Sequence, residues 1–212
     1  MASMAASPQP SALEQQPHLG LRERKKLKTR IAIRRATYRL IDEQGYEATT
    51  IEQIAEAAEV SASTVFRYFP TKEDIVLTDE YDPLMAEVLR GRPADEPPLE
   101  SIRFIVIHQL GGVFANEAEL DEMTQRTRLM VEIPAVRARM SESMSVTSKL
   151  LTGVLAERTG REENDLQLRI FTAAVMGALR EVTLYWGEHG NKDDLFALID
   201  GALNSLAGGL RL

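Results

Sequence analysis

Residues Thr49–Ile75 read TTIEQIAEAAEVSASTVFRYFPTKEDI, two short apolar periodicities separated by a break of a few residues. Ile51, Ile54, Ala55 and Ala58 recur at i, i+3, i+4 and i+7, the mark of a single helix face, and Thr50 with Gln53 supplies a capping box at its start. After the break at Glu59–Val60, Ser61 is placed to cap a third helix, with Val65 and Phe69 one turn apart on the same side. Pro70 ends that helix, and Thr71 with Asp74 caps a fourth. Upstream, Ile33, Ala36, Leu40 and Ile41 define a first helix stopped by Gly45.

Helices two and three are each too short to be stable alone. They must pack with helix one around Ile33, Leu40, Ile51, Ile54, Ala55, Val60, Val65 and Phe69. With Val65 and Phe69 turned inward, Ser63, Thr64, Arg67 and Tyr68 point outward. Hydroxyls, a guanidinium and a phenol on a bare helix face match the donor and acceptor edges of a DNA major groove. Helix, short turn, helix is therefore the expected geometry, with helix three as the reader.

Charge agrees with that polarity. The chain of 212 residues has a net charge of −7. From His18 to Lys72, however, there are 11 Lys+Arg against 7 Asp+Glu, a net of +4. The rest, from Glu73 on, has 14 against 24, a net of −10. Arg22–Arg39 alone holds nine basic residues and one acid, Glu23. A basic end on an acidic body suits a polyanionic partner, although a basic helix face is also simply well solvated.

The Thr49–Ile75 run resembles the helix-turn-helix of the TetR family of bacterial transcriptional repressors. Gly45–Tyr46, Thr49–Thr50, Ile54–Ala55, Val60–Ser61, Thr64, Tyr68–Phe69 and Lys72–Glu73 stand in the family's order and spacing, a likeness covering residues 29–88. The resemblance implies that Thr49 and Thr50 meet phosphate and that Ala62, Ser63 and Thr64 meet base edges. Phe66, Arg67, Tyr68 and Lys72 complete the set, Arg67 on guanine or phosphate, Tyr68 and Lys72 on phosphate. Two positions depart from the family. Glu59 stands where Gly is usual in the turn, which requires either a positive φ or a differently shaped turn. Phe66 replaces a common Tyr and lacks its hydroxyl.

The expected organisation is all-α with about nine helices. A disordered tail occupies 1–20, a DNA-binding domain 21–90 with its motif near 50–69, and a larger helical effector and dimerisation domain 91–212, the seam lying in GRPADEPP (Gly91–Pro98). Helical stretches fall near 99–114, 117–131, 134–158, 164–187 and 192–207. Pro83 is expected to kink or break helix four near Asp79–Asp82. The last two helices carry one apolar stripe, Phe171, Ala174, Val175, Ala178, Leu179, Val182, Tyr185 and Trp186, continuing into Leu195, Leu198, Ile199, Ala202 and Leu206. Small residues at Ala173, Gly177 and Ala178 flank it and allow close approach. That stripe serves either a homodimeric four-helix bundle or the chain's own core.

Candidate ligand-pocket residues are Met85, Phe104, His108, Met123, Arg126, Met130, Met144 and Phe171. Methionine suits adaptable apolar walls as well as core gaps. The resemblance implies a small hydrophobic or acyl-type effector that releases a repressor from a palindromic duplex operator. A regulator with no effector remains the alternative, and a helical enzyme the remote one. There is no cysteine, and the three histidines form no H-x-x-x-H pair. No phosphate loop or nucleophile elbow occurs, so neither metal nor cofactor is expected. With no signal-peptide pattern and no apolar run of membrane length, a cytoplasmic protein is the expectation.

Overall fold

The computed structural model describes residues 20–78 and 81–210, and those residues contain helices and no strand. They divide into two compact units, one ending at Tyr68 and the other beginning at Phe69. The expected tail lies outside the described residues except for Gly20.

The first unit comprises α1 (Leu21–Gln44), α2 (Ile51–Ala57) and α3 (Ala62–Tyr68). Gly45 stops α1 at φ 86, where its N–H donates to the Ile41 carbonyl. Thr50 and Gln53 form the full capping box of α2, and Ser61 Oγ accepts the Thr64 N–H at 3.1 Å to cap α3. Ile33, Ile54 and Val65 are each wholly buried. Leu40, Ile51 and Val60 are only half-buried, and Ile31, Tyr38, Ile41 and Tyr46 complete the core instead. Each short helix thus gains from packing what its length denies it.

The second unit begins with α4 (Lys72–Leu77), capped by Thr71 and Asp74, and α5 (Asp82–Arg90), with Pro83 in its first turn. The expected fourth helix is therefore two helices. Proline lacks a backbone donor but is well tolerated at a helix start. Both α4 and α5 pack on α9 (Pro134–Thr159), so by contact they belong with the C-terminal helices, and the division falls earlier than residue 90.

The next helix runs as α6 (Pro98–Phe104), a π segment (Ile105–Leu110) and α7 (Gly111–Phe114). It is followed by α8 (Glu117–Glu132), α9, α10 (Leu166–Glu188) and α11 (Leu195–Ala207). Counting the π-containing rod once, the described residues form ten helices, one more than expected because of the break after Leu77. Val175, Trp186, Leu195, Ile199 and Leu203 are buried together with Ile102 and Val106. The large residues of the α10–α11 stripe are thus core of the same chain, except Tyr185, which the sequence placed on the stripe and the structure leaves exposed. The face of α10 left exposed carries Leu166, Ile170, Ala173, Gly177 and Tyr185.

Candidate nucleic-acid interface and ligand chambers

The turn between α2 and α3 fixes the angle at which the third helix is presented. Glu59 adopts φ 55, the left-handed region. Its N–H donates to the Glu56 carbonyl at 3.0 Å, and the Val60 N–H donates to Ala55 at 2.9 Å. That pair of bonds is the Schellman arrangement, which satisfies the last carbonyls of α2 and normally places Gly at this position. Glu59 therefore keeps the family's turn geometry by accepting strain.

On α3, Ser63, Phe66 and Arg67 are exposed, Ala62, Thr64 and Tyr68 are half-exposed, and only Val65 is buried. Phe66 shows 52% of its surface, a large apolar exposure on an otherwise polar helix. Ser61 Oγ lies 2.9 Å from both Ser63 Oγ and Thr64 Oγ1, tying three hydroxyls together at the helix start. The Arg67 guanidinium carbon sits 5.3 Å from the centre of the Tyr68 ring. Side chains so arranged offer donors, acceptors, one cation and two aromatic rings on the part of the helix that is not buried.

Of the two threonines before α2, Thr50 is exposed, while Thr49 is 1% exposed. The Thr49 hydroxyl donates to the Gly45 carbonyl at 2.8 Å, so its side chain ties the end of α1 to the start of α2. Lys72 opens α4 and belongs to the second unit.

The second unit holds two adjoining chambers of about 210 and 180 Å³. The larger is almost entirely apolar, with Met85, Leu89, Ile102, Val106, Val154 and Val175 among its walls. The π segment contributes Ile105, Val106 and Leu110, and such wider turns often occur where a helix lines a functional cavity. The smaller chamber is lined by Met123, Met130, Met140 and Met144 and by Arg126 and Arg180. Asp82, Thr147, Met176 and Leu179 line both.

Five of the eight expected pocket residues line these chambers: Met85, Met123, Arg126, Met130 and Met144. Three do not. His108 is exposed, its ring 5.2 Å from that of Phe104. Phe104 lies beneath the guanidinium of Arg92 at 3.7 Å, and Phe171 packs against the buried group around Val175 and against a second one that includes Leu89, Ile105 and Leu155. Asp82, Thr147 and Arg180 went unrecognised in the sequence. They stand on three helices far apart in the chain, and no local pattern joins them.

The relations to known proteins agree with this geometry. Residues 33–78 match the family model described as bacterial regulatory proteins, tetR family. Residues 96–211 match the model described as MftR C-terminal domain. The chain is 33% identical over 195 residues to the HTH-type transcriptional regulator TcmR of Streptomyces glaucescens, covering 88% of this chain and 86% of that protein. It is 25% identical over 183 residues to the fatty acid metabolism regulator protein of Bacillus subtilis, covering 82% and 92%. Among solved structures, FadR of Thermus thermophilus, a transcriptional repressor crystallised with lauroyl-CoA, superposes with a TM-score of 0.54. The identity there is 25%, over 86% of this chain and 95% of that one.

Proposed function

The chain belongs to the TetR family of bacterial transcriptional regulators, and on that premise we propose that it is a repressor released from its operator by a small hydrophobic ligand. In this reading α3 enters the major groove. Ala62, Ser63 and Thr64 meet base edges, and the exposed Phe66 ring gives an apolar contact of the kind a thymine methyl accepts. Arg67 reaches guanine or phosphate, while Thr50, Tyr68 and Lys72 hold the backbone. Thr49, buried, drops out of that set and serves instead to seat α2.

Two copies, joined through the exposed faces of α10 and α11, would place their α3 helices one helical turn of DNA apart, on an inverted repeat. The two adjoining chambers carry the ligand reading. Together they reach the size class of small-molecule sites, about 300–1,000 Å³. The acyl-binding relatives point the same way. A regulator that used its second unit only for dimerisation would have no need to keep apolar walls apart.

Helix α4 is the link, because only residues 69–71 separate it from α3. Arg126 Nη2 donates to the carbonyl of Leu77, the last residue of α4, at 2.6 Å, and Arg139 pairs with Asp74 in its first turn. A ligand in the smaller chamber would therefore act on Arg126, one of the two side chains that hold α4. The coupling expected is about 1–3 kcal/mol, or roughly 5- to 150-fold in operator affinity. Titrating ligand with and without operator tests this, because reciprocity demands the same factor in both directions. Equal affinities would remove the release mechanism.

A further inference from the structure

We propose that the ligand is an amphiphile whose anionic head is a carboxylate, seated against Arg126 and Arg180, with its apolar body in the larger chamber. This rests on the ligand-responsive reading above and narrows it to one chemical class. The argument starts from the unlike chemistry of the two chambers. One has carbon walls. The other is lined by Arg126 and Arg180 together with five methionines. Among the described lining residues the only carboxylate is Asp82, and it accepts a hydrogen bond from Thr147 Oγ1 at 2.7 Å.

Arginine is the cation suited to this task. Its planar fork matches a carboxylate in bidentate fashion, and it sheds water more readily than lysine. The bond from Arg126 Nη2 to the Leu77 carbonyl fixes the plane of that fork. Arg180 is exposed and makes no ion pair among the described residues, so the charged chamber meets water on its side. A head group can arrive there while its tail passes the shared wall of Asp82, Thr147, Met176 and Leu179 into the apolar chamber.

The position of the arginines also decides between a free acid and a coenzyme A thioester. They line the chamber that shares a wall with the apolar one, so positive charge meets the end of the hydrocarbon directly. A free acid carries its negative charge at that atom. A thioester carries a neutral carbonyl there, and its phosphates lie far along the pantetheine arm. The geometry therefore favours the acid.

The experiment compares matched probes on the full-length protein by calorimetric titration: dodecanoate against dodecanol, 2-naphthylacetate against 2-naphthylethanol, and lauroyl-CoA. At least one acid should bind about tenfold or more tighter than its alcohol, the effect of one or two charge-assisted hydrogen bonds. R126Q/R180Q should erase that preference, acid and alcohol then binding alike. R180Q alone, at an exposed site with no effect on the core, should reduce the preference severalfold. Alcohols binding as well as acids would overturn the head-group assignment. So would a preference that survives R180Q and the double variant, or lauroyl-CoA displacing dodecanoate at lower concentration. In each of those cases ligand binding itself stands. Failure of every probe to bind would instead overturn the ligand-responsive reading and this inference with it.

Discussion

Replacing Glu59 by Gly should stabilise the DNA-reading unit, and the size of the gain follows from the turn. Glu59 holds φ 55 in a complete Schellman motif, with both capping bonds in place. A side chain in the left-handed region costs about 1–2 kcal/mol relative to Gly there. Against this, Gly adds unfolded-state freedom worth about 0.5–1 kcal/mol. The difference leaves a net gain of about 0.5–1 kcal/mol. Because Glu59 is exposed, no packing is lost. For a chain of this size such a gain corresponds to about 1–4 °C in melting temperature. Glu59→Gln serves as the control, since it keeps the strain and removes only the charge. Urea unfolding followed by circular dichroism, with hydrogen exchange in α2 and α3, should rank Gly above Gln and wild type. If Gln gained as much as Gly, the effect would be charge, and the account of the turn would be wrong. A rise in operator affinity common to both variants would report removal of a carboxylate from the DNA-facing unit, a separate matter.

Three further outcomes are expected. Gly187→Ala would place a methyl carbon 2.6 Å from Thr127 Cγ2 and 3.0 Å from Val131 Cγ2. Both neighbours are β-branched and stiff, so overpacking at about 1–3 kcal/mol should outweigh the helix gain of up to about 1, and thermal melting should fall. Arg92, with Ser101, holds Glu96 down at about 2 from a usual 4.5. A carboxylate depressed in the folded state stabilises above its ordinary range and loses that contribution as pH falls. The difference in urea midpoint between wild type and Glu96→Gln should therefore be full at neutral pH and shrink from pH 4.5 towards 2; a constant difference would refute the linkage. In operator binding, Thr64→Ala should alter preference at one or two base positions, each worth about 1–3 kcal/mol, and Lys72→Ala should weaken all sequences alike. The reverse pattern in a binding-site selection would mean that α3 does not read the bases.

What the sequence disclosed was local. Thr50 with Gln53, Ser61 with Thr64, and Thr71 with Asp74 each act within three residues, and each cap stands where its pattern placed it. The α10 face was harder, because that helix is apolar on nearly every side. Periodicity finds both the row Phe171, Val175, Leu179, Val182 and the row Leu166, Ile170, Ala173, Gly177, but only the packed structure shows that the first is core. His108 failed for a different reason. It lies within the π segment, whose wider turn departs from the pitch that a helical wheel assumes, and its side chain is exposed. A helical wheel drawn at constant pitch cannot anticipate that departure.

Electrostatics shows how the two tasks coexist in one chain. Up to Tyr68 there are 10 Lys+Arg against 8 Asp+Glu, a net of +2, and from Phe69 on there are 15 against 24, a net of −9. Apart from Lys72 at its start, the acidic second unit as a whole disfavours phosphate, which supports the proposal that DNA is read by α3. The same net charge disfavours an anionic ligand, but only at long range, since salt screens it within about 8 Å at physiological ionic strength. At contact the nearest charges dominate, and in the smaller chamber those include Arg126 and Arg180. Operator binding, summed over many phosphates, therefore falls steeply with salt, at a slope of about −0.9 per neutralised phosphate. A single head group held at contact distance should respond far more weakly, because added salt weakens both its attraction to the arginines and its repulsion by the surrounding acids. Rising ionic strength should thus loosen the operator while leaving the proposed ligand nearly in place.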